Sequence, residues 1–380
     1  MKVTVSQQDL SRGLAVVSHA VSNRSTLPIL ANIMLATDQG RLRLSATTLE
    51  IGINCWFDAD ILEEGAITVP AKPFTELINS LAQGQVDLSV PEDSKTINIK
   101  SPGSNANVRG TDASEFPLIP TADGGEQPIL FDASLLKEMI EQVVFAAADD
   151  NSRPVFTGIL VEVSQELVTF AAADSFRLAL RVASLPGYTE TQSPILIPAK
   201  TLRELARVLA PSGTVQMVVT ASRNQVLFHT EHVDLVSRLI EGTFPNIRAA
   251  IPKQYTTRAE ISTKEFEASV KRVAPFARDS SNITRIKITP LGSGSTTVPG
   301  TVTLESHAED VGNNTVTINA SVEGPECQII LNVRYLAEVL AVLDAPEVVL
   351  EVESGARPGV LRPVGDIDYT SVIMPMSANR

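Results

Sequence analysis

Three stretches of this 380-residue chain repeat one pattern. They read ITVPAKPFTELINSL from Ile67, ILIPAKTLRELARVL from Ile195 and IILNVRYLAEVLAVL from Ile329. Each is a short apolar run that turns into a helix with one apolar face. Phe74, Leu202 and Leu336 correspond, and so do Leu81, Leu209 and Leu343. The apolar spacing within each copy is i, i+3, i+4, i+7, the buried stripe of an α-helix. The copies start 128 and 134 residues apart. That period is too long for a solenoid and suits a whole domain, so the chain reads as one domain written three times.

The repeat extends on both sides of that helix. Each unit opens with a strand and a helix: KVTVSQQDLSRGLAVVSHAV, ILFDASLLKEMIEQVVFAAA and AEISTKEFEASVKRVAPFAR. Ser6, Asp132 and Ser262 stand where an N-cap belongs. Strand pairs follow, with period-2 alternation in NIMLATD and RLRLSA. The first two units close alike, on RGTDASEFPLIP and RLIEGTFPNIRAAIP, each with Phe-Pro and a final Ile-Pro. Strands follow strands too often for a parallel doubly wound sheet. The expected class is α+β: three copies of one domain, each with mostly antiparallel sheets and two helices on one face. Boundaries are placed at 1–121, 122–253 and 254–380.

Aromatic residues make up only 4% of the chain, so the cores must be aliphatic. Cys55 and Cys327 lie in different repeats with no metal-ligand spacing, and both are expected as buried free thiols. No signal peptide or apolar span is evident, which points to a cytoplasmic protein. The formal charge of −13 argues against nucleic-acid binding by bulk charge. The charge is uneven, however. Across the six helical stretches, 12 Lys and Arg stand against 11 Asp and Glu, leaving the rest of the chain at −14. Either the helix faces hold ordinary mixed ion pairs, or the helices share a surface kept less acidic than the outside.

NRSTLPILANI at 23–33, the triplicated VPAK-type helix, DSFRLAL at 174–180, EGTFPNIR at 241–248 and VIMPM at 372–376 occur in order along the chain. Together they resemble the bacterial DNA sliding clamp family, the beta subunit of DNA polymerase III. The resemblance implies a homodimer: two three-domain chains joined head to tail, helices lining a hole that encircles duplex DNA without reading its sequence. It implies a processivity factor, without cofactor or metal, that tethers polymerase, clamp loader and repair proteins. On that reading Arg24 contacts DNA, and Arg12, Lys72, Lys137, Lys200, Arg203, Arg207, Lys271 and Arg272 face it.

The resemblance also implies a pocket for short partner peptides. The matching positions are Arg153, Phe156, Asp174, Ser175, Phe176, Arg177, Leu178, Pro245, Val372, Ile373, Met374, Pro375 and Met376. Methionines suit such a site because they repack around different ligands. Removing Ser371 onward is expected to abolish partner binding and spare the fold. The chain departs from the family pattern at Ser175, Phe176, Ala249 and Ala250, which puts the pocket's preference in question, and at Asp149 and Asp150, in a loop expected near DNA. For the dimer the resemblance points to an edge strand at Ala106 and Val108, meeting Pro275 and Phe276 of the other copy.

Two other classes compete: a monomeric peptide-binding scaffold, and an enzyme with an interdomain site. For the enzyme, His229 and His232 form HTEH, but VLFHTEHVDL reads as a strand, which sends residues three apart to opposite faces. GSGS at 292–295 has no following Lys-Ser/Thr and reads as a turn. Asp149-Asp150 and Glu63-Glu64 are sequence neighbours that read as solvated loops. No nucleophile, base and oxyanion site assembles from such parts, and the expectation is a non-enzyme.

Overall fold

The computed structural model describes residues 1–22, 25–92, 94–120, 127–292, 297–365 and 368–377, with the backbone alone at position 279. Arg24 and the GSGS tract from position 293 lie outside the described residues.

The first repeat runs β1 (Lys2–Ser6), α1 (Gln7–Ser18), β2 (Asn32–Asp38), β3 (Arg41–Thr47), β4 (Ile51–Asp58), β5 (Asp60–Glu63), β6 (Ala66–Pro70), α2 (Ala71–Ser80), β7 (Gln85–Ser89), β8 (Thr96–Ser101) and β9 (Ser104–Arg109). The second runs β10 (Ile129–Asp132), α3 (Ala133–Val144), β11 (Gly158–Ser164), β12 (Leu167–Ala173), β13 (Arg177–Ser184), β14 (Gln192–Pro198), α4 (Ala199–Val208), β15 (Thr214–Val219), β16 (Gln225–His229) and β17 (Val233–Arg238). The third runs β18 (Thr257–Ser262), α5 (Thr263–Val273), β19 (Ile283–Pro290), β20 (Val298–Ala308), β21 (Gly312–Glu323), β22 (Cys327–Asn332), α6 (Val333–Leu340), β23 (Glu347–Val352), β24 (Gly359–Pro363) and β25 (Tyr369–Ile373).

The repeat is visible in single hydrogen bonds. The first residue of each opening helix donates its N–H to the loop that follows the second helix of its repeat: Gln7 to Gly84 O at 2.9 Å, Ala133 to Gly213 O at 2.8 Å, Thr263 to Pro346 O at 3.0 Å. Two of the three foreseen caps form. Ser6 Oγ accepts from Asp9 N at 3.3 Å, and Asp132 Oδ1 from Ser134 N at 2.9 Å and Leu135 N at 3.1 Å. Ser262 holds the N-cap position but makes no side-chain cap bond.

The chain packs as two compact units, 1–136 with 204–239 and 137–203 with 240–380, so the second repeat is divided between them. The first unit holds two sheets, β5-β1-β7-β8-β9 and β10-β15-β16-β17-β4-β3-β2-β6. The second holds one twelve-stranded sheet, β14-β11-β12-β13-β25-β24-β23-β18-β21-β20-β19-β22. The pairings among named strands are all antiparallel. Two sheets therefore run on from one repeat to the next, through β17–β4 and through β13–β25.

In the first unit α1 lies on β3 and β4 and packs against α2. Leu10, Leu14 and Val17 of α1 meet Phe74 and Ile78 of α2 in an aliphatic core. Gly13 permits the close approach: a Cβ there would lie 2.6 Å from the Phe57 ring. In the second unit α5 lies on β20 and β21 and packs against α6. Phe266 and Val270 face Leu336 and Leu340 at the same register, all fully buried.

Two readings of the sequence need correction here. Residues 230–232 are the turn of a hairpin between β16 and β17, so the HTEH segment is no continuous strand. His229 Nδ1 lies 2.5 Å from Asp234 Oδ1 across that turn, while His232 is exposed. Cys327 is only half-buried; Cys55 alone is buried. Burial pushes the Cys55 thiol up to about 11. At pH 8 it holds almost no thiolate, the reactive form. Iodoacetamide is expected to modify Cys327 first and to reach Cys55 only after unfolding, which peptide mass mapping reads directly.

Candidate functional site

The site is built on the β12–β13 turn. Asp174 ties it down: its Oδ1 accepts from Phe176 N at 2.7 Å and Arg177 N at 2.9 Å, and its own N–H donates to Arg177 O at 3.0 Å. Aspartate closes such turns because its short carboxylate reaches the backbone two residues on. The turn thrusts Phe176 outward, 58% exposed. From there strand alternation sorts the side chains. Arg177 and Arg181 point to the helix-bearing face. Arg181 Nε donates to Gln142 Oε1 on α3 at 2.8 Å. Arg177 bonds Asp174 Oδ2 at 3.1 Å and Glu338 on α6, with its guanidinium 4.3 Å from the Tyr335 ring. Leu178, Leu180 and Val182 point the other way, into an apolar basin.

That basin holds Leu160, Leu178, Leu180, Leu196, Ile247, Val360 and Val372, with Val155, Phe156, Phe244 and Ile251 half-buried at its edge. The segment after β17 crosses it and sends in Phe244 and Ile247. Phe156 meets Phe244 edge to face at 5.7 Å between centroids. Arg153 lies 4.8 Å over the Phe156 ring and also donates to Ser175 Oγ. At the other rim Met374 N donates to Phe176 O at 2.8 Å and Met376 N to Ile330 O at 2.9 Å. Met374 stays 42% exposed. On the same face, past Leu180, a cavity of about 490 Å³ opens between Val182, Arg248, Ile251, Lys253 and Arg362.

The expected pocket residues thus meet in one place, with three exceptions of orientation. Ile373 pairs with Arg177 in the ladder and shares its face, so both support the basin from behind. Pro245 is exposed on the crossing segment, and Ala249 and Ala250 follow it on the surface. Sequence reasoning missed Phe244, Ile247 and Val360. The signal for the first two was available, since FPNI at 244 matches FPLI at 116.

Family models of the DNA polymerase III beta subunit match in tandem: the N-terminal domain over residues 1–120, the central domain over 131–246 and the C-terminal domain over 248–377. The beta sliding clamp of Synechocystis is 31% identical, covering 99% of both chains. The chain belongs to the beta sliding clamp family. The Bacillus subtilis beta sliding clamp is 30% identical, again over 99% of each chain. A crystal structure of the sliding clamp from Bacillus subtilis superposes with a TM-score of 0.92 at 28% identity, covering 100% of this chain and 99% of that one.

Several of the clamp's helix cations pair with carboxylates on their own helices. Arg12 pairs with Asp9, Arg207 with Glu204 at 2.8 Å and Lys271 with Glu267 at 2.5 Å. Arg203 donates to Val144 O at 3.0 Å. Lys137 is half-buried and Arg272 exposed. One placement recurs. Lys72, Lys200 and Arg334 each stand second in their helix, at the end where the helix dipole favours an anion. Arg334 pairs with Glu338 at 3.1 Å. Lys72 and Lys200 are exposed, with no carboxylate in ion-pair range among the described residues.

The clamp's β9 is the edge of the five-stranded sheet. Ala106 and Val108 are half-buried on one of its faces and Asn105, Asn107 and Arg109 exposed on the other. Pro275 and Phe276 lie in a 3-10 turn directly after α5.

Proposed function

We propose that two copies of this chain close head to tail around duplex DNA, and that the basin on β13 and β25 captures short peptides of polymerase, clamp loader and repair proteins. The domains on this reading are 1–121, 122–253 and 254–380, and the protein works in the cytoplasm. It is a processivity factor and performs no chemistry. The observation that carries the reading is the basin itself: an apolar floor, a methionine rim at Met374 and Met376, and an aromatic wall at Phe156 and Phe244. Such a surface suits a hydrophobic peptide anchor. Unpaired backbone groups along β9 offer an edge for the second copy.

The truncation that tests the pocket must be chosen with care. Deletion from Ser371 onward was expected to spare the fold. It removes residues of an inner strand instead: Val372 and Ile373 are buried, with β13 on one side and β24 on the other. Deletion of 374–380 leaves that ladder whole. Losing Met374 and Met376 is expected to weaken a polymerase-derived peptide by about tenfold or more, since burying one such side chain is worth roughly 1.5–3 kcal/mol, with only a small drop in thermal midpoint from the two lost backbone hydrogen bonds. Unchanged affinity in a calorimetric titration would remove the rim from the site.

DNA contact on this reading is deliberately weak. Binding falls with salt according to the number of phosphates neutralised. Arg12, Arg207, Lys271 and Arg334 are already paired with carboxylates on their own helices, which leaves Lys72 and Lys200 among the helix cations free to reach a phosphate. Replacing both by alanine is expected to flatten the plot of log affinity against log salt by about 2, one contact per lysine. A slope equal to the parent's takes both lysines off the DNA-facing surface.

A further inference from the structure

The first unit contains an internal counterpart of the peptide basin. Its backbone repeats the basin bond for bond. Thr48 N donates to Ile51 O at 2.9 Å as Asp174 N does to Arg177 O at 3.0 Å. Arg238 N donates to Glu50 O at 2.9 Å as Met374 N does to Phe176 O at 2.8 Å. Gly52 pairs with Val236 as Leu178 pairs with Val372. The crossing segment recurs too: Ile119 packs on Leu227 and Val236 as Ile247 packs with Val360 and Val372.

What differs is the rim. Where the basin has Arg153, Ser175 and Asn246, the counterpart has Leu27, Leu49 and Leu118, which are 47%, 44% and 98% exposed. Leu49 also sits at φ 71°, a left-handed conformation that costs a branched residue about 1–2 kcal/mol. A cavity of about 160 Å³ lies there, with Leu49, Leu118, Ile119 and Val236 on its apolar side and Thr47, Glu50, Gln225 and Arg238 on its polar side. A cavity near 150 Å³ has room for one benzene-sized group. Gly52 lets Ile119 lie close against the strand: a Cβ there would lie 3.0 Å from Ile119 Cγ2.

We propose that this groove is a second docking site, taking a short extended segment of a partner protein through one aliphatic side chain. A second copy of the chain is a poor occupant, because a stable protein interface needs on the order of 1,000 Å² and this groove admits one side chain. The match to the basin argues for a peptide. The inference rests on reading the basin as a peptide site, and the experiment separates the two.

The probe is acetyl-Ser-Leu-Ala-Phe-amide with a photoreactive leucine, cross-linked to the full-length protein and mapped by mass spectrometry. Labelling is expected both at 116–120 and at 372–376. Leu118→Asp, at a fully solvated position, is expected to cut the first about tenfold and leave the second; Met374→Asp is expected to do the reverse. Labelling at 372–376 alone overturns the second site and leaves the basin standing. Labelling at 116–120 that survives Leu118→Asp overturns the assigned geometry. Labelling at neither overturns both.

Discussion

Arg177→Ala is expected to destabilise the second unit by about 2–3 kcal/mol, read as a lower denaturant midpoint at an unchanged slope. The side chain is almost fully buried and joins the β12–β13 turn to α6 through Asp174 and Glu338. Removing one member of a buried ion pair usually costs about 3–5 kcal/mol, because its partner is left charged and unsolvated. Here Glu338 is partly solvated and keeps Arg334 at 3.1 Å, which lowers the figure. Peptide affinity should fall as well, although Arg177 faces away from the basin, because the turn that carries Phe176 and Leu178 loses its anchor. Arg177→Lys keeps the charge but has a single ammonium in place of the planar fork that reaches both carboxylates, so it should recover only part of the loss. A variant as stable as the parent would show that the pair contributes nothing.

Retention on closed DNA should exceed retention on linear DNA by orders of magnitude. Four helix cations are engaged by carboxylates of their own helices and the chain's formal charge is −13, so electrostatic grip is limited and a loaded ring would hold by topology. Cutting a loaded plasmid once, then separating bound from free protein by gel filtration, is expected to release nearly all of it. Protein that stayed on the cut duplex would mean that direct contacts, not enclosure, carry the binding.

Much of this architecture was legible in the chain because the repeat repeats its chemistry. The i, i+3, i+4, i+7 stripe located α2, α4 and α6, and Ser6 and Asp132 marked where α1 and α3 begin. Period-2 alternation in NIMLATD and RLRLSA marked β2 and β3. Other features resisted. The two compact units cut through the second repeat, since pairing of β17 with β4 and of β13 with β25 is a long-range choice that no local pattern announces. The hairpin at His229 was hidden because Thr230, Glu231 and His232 carry no Gly, Pro or Asn to mark a turn. Phe244, Ile247 and Val360 read as ordinary core positions, and only the fold shows that they face a basin open at one edge.

The position of β25 bears on how the chain matures at the ribosome. Ser371 Oγ bonds Leu178 O across 193 residues of sequence. At about 5–20 residues per second of synthesis, β13 waits roughly 10–40 seconds for its neighbour. Throughout that interval an apolar strand with unpaired N–H and C=O groups is open to any passing nascent chain. The twelve-stranded sheet reaches one piece only after β25 has been made, so until then its two parts stand separate, each with an open edge at this seam.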